Sequence, residues 1–182
     1  MNDILPLINH GHNHYGENKV QEALEKWKDI KYDFTDIKLH LIGKLQTNKV
    51  KYAIPLFDYI HSLDNTKLAE KISSEQDKKN FKPKIFIQVN IGNEPQKNGV
   101  DLNDLDKFLE NCVENLNLNI IGLMCIPPID SSPKTYFSNM LDLVKNLNQK
   151  DLSMGMSSDY LDAVDFNSTY VRIGSKIFGK RV

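Results

Sequence analysis

Cysteine is scarce in this chain, and so is any excess of charge of one sign. Only two of the 182 residues are cysteines, Cys112 and Cys125, and their contexts have no metal-binding spacing. We therefore expect reduced thiols in a core rather than a disulfide framework. The 23 Lys and Arg residues nearly balance the 24 Asp and Glu residues. This balance lacks the basic signature of a protein that binds nucleic acid or an anionic membrane.

Long hydrophobic runs are also missing. No stretch approaches the roughly 18 apolar residues of a membrane-spanning helix, and the first residues have no signal-peptide pattern. The length suits one folding unit with a sizeable core. We expect a cytoplasmic, monomeric protein with a single domain over residues 1–182.

What the chain does have is a regular alternation of short apolar runs and amphipathic stretches. The apolar runs predict seven strands, at residues 13–15, 38–42, 59–63, 84–91, 119–125, 152–156 and 170–173. Helical periodicity predicts helices at residues 3–9, 19–30, 48–56, 66–79, 102–116 and 133–147, and a short helix that begins at 158–159. Strands that alternate with helices indicate a parallel sheet with right-handed crossovers.

The number of units favours a barrel over an open sheet. A complete (β/α) barrel needs eight strands, whereas this chain offers seven and opens on a helix with no strand before it. The sequence therefore predicts an α/β fold of the TIM-type (β/α) barrel class that lacks the first strand.

The ends of the last two strands carry the residues best suited to bind a ligand. Ser157, Ser158 and Asp159 follow one strand, and Arg172, Gly174 and Ser175 end the other. Barrels often bind phosphate after their last two strands, where hydroxyls and backbone amides converge. A phosphorylated ligand is one interpretation. The alternative is that the hydroxyls cap a helix and the glycine marks a turn, and the residues alone do not decide between them.

Two other patterns invite a functional interpretation and do not support one. His10, His12 and His14 alternate, but the run crosses a predicted helix end at Gly11, so the rings would not share one face of a strand. We predict no metal site there. Gly43-Lys44 lacks the glycine spacing and the following Ser or Thr of a phosphate-binding loop.

The strand ends resemble those of the pyridoxal phosphate homeostasis proteins, in the same order and over nearly the whole chain. The matching segments are Tyr15-Gly16-Glu17-Asn18-Lys19-Val20-Gln21-Glu22-Ala23-Leu24, His40-Leu41-Ile42-Gly43-Lys44-Leu45-Gln46-Thr47-Asn48-Lys49, Ile60-His61-Ser62-Leu63-Asp64, Gln88-Val89-Asn90-Ile91, Gly122-Leu123-Met124-Cys125-Ile126-Pro127, and residues 152–159 and 171–179. The resemblance implies the barrel of the alanine racemase N-terminal domain and the cofactor pyridoxal 5'-phosphate. It also implies a non-catalytic role in controlling the free vitamin B6 pool.

The resemblance assigns cofactor contacts to six residues. Ser157 or Ser158, with Gly174 and Ser175, resembles the phosphate contacts; Arg172 resembles the arginine facing the pyridine nitrogen, and Asn18 resembles a residue near the ring. No catalytic residue is implied.

One feature of the family has no counterpart in this sequence. The lysine that bonds the cofactor covalently lies at the end of the family's first strand, before the helix whose tail begins here near Asp3, so no residue occupies that position. Lys44 stands at the same mouth where the family usually has histidine, and we do not expect it to replace that lysine. The alternatives left open are a racemase-like enzyme that uses the same cofactor and an inactive remnant of the family.

Overall fold

A computed structural model describes residues 3–94, 96–129 and 131–179. Seven parallel strands form one sheet in sequential order and wrap into a nearly closed barrel. The strands are β1 (His14–Glu17), β2 (Lys38–Leu41), β3 (Tyr59–Leu63), β4 (Lys84–Gln88), β5 (Ile120–Met124), β6 (Asp151–Met156) and β7 (Tyr170–Arg172). The predicted fold class and the count of seven strands are confirmed.

Helices follow the strands along the chain. Their bounds are α1 (Leu5–Asn9), α2 (Val20–Trp27), α3 (Ile30–Asp33), α4 (Val50–Ala53), α5 (Thr66–Lys79), α6 (Leu105–Glu110), α7 (Pro133–Asn146), α8 (Tyr160–Asp165) and α9 (Ser175–Phe178). Helix α5 has the predicted bounds, and its first turn is capped by Asn65, whose side-chain oxygen accepts from the Leu68 amide at 2.9 Å. None of the described helices is long and apolar enough to cross a membrane.

Three predicted helices are wrong in their extent. The stretch 19–30 divides into α2 and α3, with Lys28 and Asp29 in a turn between them. The stretch 48–56 begins as a 3₁₀ turn, Thr47–Lys49, before the four residues of α4. The stretch 102–116 starts only at Leu105, since Asp101 accepts from the Asn103 amide in a turn, and it ends in a π-helical turn over Asn111–Asn115.

Most of the apolar core lies between the sheet and the helices, and a smaller cluster of Tyr59, Phe86 and Met124 fills the inside of the barrel. Both cysteines are buried and free, as predicted. Strands β1 and β7 each pair with a single neighbour in the described sheet. Their inward side chains nevertheless approach each other, since the rings of His14 and Tyr170 have centroids 6.1 Å apart.

Candidate functional site

The ends of β6 and β7 form one polar corner. The hydroxyl oxygen of Ser157, just after β6, accepts hydrogen bonds from the backbone amides of Gly174 at 3.1 Å and Lys176 at 3.4 Å, at the start of α9. The register brings the two strand ends together, because Met156 lies opposite Arg172. A hydroxyl and two amides thus converge on the same small volume.

Two glycines give this corner its shape. Gly155 has φ +90°, and a Cβ there would lie 2.6 Å from the Cβ of Ala163 in α8, so a side chain is excluded by both conformation and packing. A Cβ at Gly174 would meet nothing within 4 Å. The backbone at Gly174 is therefore open on the side that a side chain would cover, which is the condition for close approach of a ligand.

Arg172 places its charge inside the barrel. One guanidinium nitrogen donates to the hydroxyl of Ser153 at 2.8 Å, and the other terminal nitrogen donates to the carbonyl of Cys125 at 2.8 Å. No carboxylate forms an ion pair with this guanidinium among the residues that the structure describes. Burial raises the pKa of the Cys125 thiol to about 12, so it also stays neutral. The guanidinium is held by neutral hydrogen-bond acceptors, and Asp159 favours its charge without forming an ion pair with it.

A chain of hydrogen bonds continues from Arg172 across the inside of the barrel. Ser153 in β6 lies 2.8 Å from His61 Nδ1 in β3, and His61 Nε2 lies 2.9 Å from His40 Nδ1 in β2. His40 Nε2 lies 2.9 Å from His14 Nδ1 in β1. Five polar side chains from five strands therefore form one connected line.

The histidines of this line are kept neutral. Burial lowers the pKa of His40 to about 3, helped by its proximity to His14, while Asp58 opposes the shift. Burial also lowers the pKa of His61 well below its ordinary value, with His40 and Arg172 acting in the same direction. Burial is also the main reason that the pKa of His14 is lowered. Aromatic rings enclose the line: His40 stacks on Tyr59 with centroids 4.1 Å apart, and His61 stacks on Phe86 at 4.4 Å.

The six residues that the sequence singled out are not equally involved. Ser157, Gly174 and Arg172 lie together at the β6–β7 corner. Ser158 and Ser175 are exposed beside them, and within the described chain their hydroxyls make no hydrogen bond. Asn18 follows β1, at the other free edge of the sheet, where its backbone carbonyl packs so closely on Gly43 that a Cβ there would lie 2.2 Å away.

The remaining sequence candidates do not form ligand sites. Lys44 donates to the side chain of Asn98 at 2.6 Å, in the loop after β4. His12 bonds the carbonyl of His14 at 2.7 Å, and no cluster of three or more metal-ligating side chains occurs in residues 3–94, 96–129 and 131–179. An open groove of about 430 Å³ is lined by residues of the outer helical wall, among them Thr47 and Lys71, and by none of the residues of the β6–β7 corner.

Sequence reasoning missed the functional interest of His40, His61 and Ser153. A signal was available, because each is a polar residue at the third position of a predicted or observed strand that is otherwise largely apolar. Side chains alternate along a strand, so such residues face either the helices or the inside of the barrel. Only the barrel geometry shows that they face each other.

The polar corner suits an anionic group of phosphate size. The Ser157 hydroxyl accepts from two amides and, among the described residues, has its own proton free to donate; the backbone is open at Gly174, and the cation of Arg172, with further N–H donors, ends β7 two residues before that glycine. An acceptor atom of a ring placed beside the phosphate could meet that cation. The donor set therefore fits a phosphorylated heterocycle.

The fold and this corner define a class of protein, the (β/α) barrels of the alanine racemase N-terminal type. The family profile "Alanine racemase, N-terminal domain" matches residues 1–182. Within that class, the chain belongs to the family of pyridoxal phosphate homeostasis proteins. It is 40% identical over 187 residues to the family's protein from Aquifex aeolicus, covering 98% of this chain and 81% of that protein. The human protein is 36% identical over 197 residues, covering 98% and 72% respectively.

Solved structures agree with this placement. PipY of Synechococcus elongatus, solved without pyridoxal phosphate, has a TM-score of 0.91 and 35% identity, covering 97% of this chain and 86% of PipY. PipY with pyridoxal phosphate bound has a TM-score of 0.89 and 34% identity, with the same coverage. An alanine racemase of Clostridium difficile shares the fold at 14% identity, with a TM-score of 0.72 over 96% of this chain and 47% of that one.

Proposed function

We propose that this chain binds pyridoxal 5'-phosphate and acts as a non-catalytic carrier or regulator in pyridoxal phosphate homeostasis. The single observation that supports it most is the convergence of the Ser157 hydroxyl with the Gly174 and Lys176 amides, next to the unpaired cation of Arg172. The names of the relatives, and the PipY structure that contains pyridoxal phosphate, give the chemical identity of the ligand.

In this proposal each side chain has a defined task. Ser157 and the amides of the Gly174–Lys176 turn hold the phosphate, with Ser158 and Ser175 available at its outer side. Arg172 donates to the pyridine nitrogen. Asn18 lies at the end of β1, on the side where the ring would be covered.

Arg172 also supports the non-catalytic role. When bound, the cofactor can supply an electron sink for amino-acid chemistry, and this works best with a protonated ring nitrogen. A permanent cation beside that nitrogen disfavours the proton, because two positive charges would lie close together. Retention and release of the cofactor suit this arrangement better than broad catalysis. We place this activity in the cytoplasm and in a monomeric chain.

Equilibrium dialysis of the folded chain against pyridoxal 5'-phosphate tests the proposal. We expect saturable binding of one cofactor per chain. Ser157→Ala should weaken it by about tenfold, since one hydrogen bond to a charged group is lost. Ser74→Ala is the matched control, because Ser74 is exposed on α5, away from the corner. Absence of saturable binding in a sample with native circular dichroism would refute the function.

A further inference from the structure

In the line of hydrogen bonds from Arg172 to His14, the number of donors and acceptors on each group determines which partner donates in each bond. Arginine has only donors, so the Ser153 oxygen accepts from Arg172. Ser153 is fully buried, and His61 Nδ1 is its other partner within the described chain. If His61 also donated to this oxygen, the serine proton would have no acceptor, which is costly in a buried site. The hydroxyl therefore donates to His61 Nδ1.

The same reasoning shows which ring nitrogen of each histidine carries the proton. Because His61 Nδ1 accepts, its proton is on Nε2, which donates to His40 Nδ1. The proton of His40 is then on Nε2 and is donated to His14 Nδ1. Each imidazole must be neutral for this, since a protonated ring has no acceptor nitrogen. The low pKa of His40 and the rings stacked on His40 and His61 agree with this requirement.

At the Arg172 end of the line, the hydrogen bonds determine the orientation of the guanidinium. Two neutral acceptors, the Ser153 hydroxyl and the Cys125 carbonyl, hold the two terminal nitrogens of Arg172. A carboxylate in their place would hold the guanidinium equally well but would neutralise its charge. Neutral acceptors fix the plane of the guanidinium and leave its charge and its remaining N–H groups for a ligand.

We propose that His61 and Ser153 are positioning residues that hold the Arg172 guanidinium in the orientation that receives an acceptor atom of a bound heterocycle, and that His40 and His14 continue the line as the next acceptors. The proposal rests on the proposed function for the identity of the ligand. The direction of the line is a property of the protein alone and can be measured without it.

The first experiment determines the tautomers in the ligand-free protein by long-range ¹H–¹⁵N spectra of the histidine rings at pH 7.5. We expect neutral rings protonated at Nε2 for both His40 and His61. Ser153→Ala should change the ¹⁵N shift of His61 Nδ1, because its donor is removed. Ser62→Ala is the matched control: Ser62 neighbours His61, is 2% exposed, and has a buried hydroxyl without a partner among the described residues. An Nδ1-protonated His61 would overturn the proposed direction.

The second experiment measures the dissociation constant for pyridoxal 5'-phosphate by equilibrium dialysis. Ser153→Ala should weaken binding by about tenfold, as expected when a charged hydrogen bond is lost, and Ser153→Thr, which keeps the hydroxyl, should recover most of the affinity. His61→Phe preserves the stack on Phe86 and should weaken binding in the same direction. Ser62→Ala should bind as the unmodified chain does.

The outcomes separate the two proposals. If the unmodified chain binds and Ser153→Ala binds equally well, the positioning role is refuted and the proposed function stands. If the unmodified chain does not bind, the proposed function is refuted, and with it the ligand role of Arg172. The tautomer spectra still decide the direction of the line in that case.

Discussion

The Nδ1 atom of His61 lies 2.8 Å from the hydroxyl of Ser153, although the two residues are 92 positions apart in the sequence. They belong to β3 and β6, which are not neighbours in the sheet. Their contact is possible only because the sheet curves until its inner face meets itself. This hydrogen bond therefore connects the closure of the barrel to the orientation of Arg172, which donates to the same hydroxyl.

The buried histidines predict a loss of stability in mild acid. The pKa of His40 is about 3 in the folded chain, against 6.5 as its ordinary value, so the unfolded chain takes up the proton first. The full stability is present above pH 6.5 and falls as the pH drops from 6.5 towards 3. His61 acts in the same direction. The expected slope is about 1.4 kcal/mol per pH unit for each such histidine.

Urea unfolding at intervals from pH 7.5 to pH 5 measures this slope. Among the described residues, the groups facing the line do not cancel the effect: His12, Lys38, Lys84 and Arg172 oppose protonation of its members, whereas Asp58 favours it. His40→Phe, which keeps a ring against Tyr59, should reduce the slope. Ser74→Ala, at an exposed position on α5 and without an ionisable side chain, should not change it. A flat profile between pH 6.5 and pH 5 would contradict the assignment of buried neutral histidines.

Features with a local signal in the sequence could be predicted, whereas contacts across the barrel, such as that between His61 and Ser153, could not. The strands and most helices could be predicted because their signals are local: alternation, periodicity and caps such as Asn65. The corner at Ser157 and Gly174 could be predicted because the two strand ends are neighbours in a parallel sheet. The histidine line could not, because it depends on which inward side chains meet across the barrel, and strand periodicity does not determine that.

Two glycines allow folding and binding to be tested separately. In Gly174→Ala the new methyl group meets no atom within 4 Å, and the backbone at this position does not have positive φ, so we expect native stability. The methyl group would nevertheless occupy the open side of the turn, and we expect affinity for pyridoxal 5'-phosphate to fall by roughly tenfold or more, the loss expected when one charged hydrogen bond is displaced.

Gly122→Ala is the contrasting variant. A Cβ at Gly122 in β5 would lie 1.8 Å from the Asp151 carbonyl oxygen in β6, so the two strands would have to separate. We expect a loss of several kcal/mol in unfolding free energy, roughly at the upper end for overpacked core positions. Thermal unfolding and dialysis on both variants would check this pair. Gly174→Ala that unfolds, or that binds normally, would contradict the role given to the open backbone.

The chain should retain pyridoxal 5'-phosphate without a covalent bond. The Lys44 ammonium donates to Asn98, and the Lys176 ammonium lies over the Tyr160 ring, 4.7 Å from its centroid, so this chain should hold pyridoxal 5'-phosphate by non-covalent contacts. Borohydride reduction at one equivalent of cofactor, followed by mass spectrometry of the intact chain, should find it unmodified. Lys44→Gln should leave the dissociation constant unchanged within about twofold, since an exposed polar contact contributes little. Stoichiometric reductive labelling of Lys44 in the folded chain, abolished by Lys44→Gln, would show covalent retention and contradict this prediction.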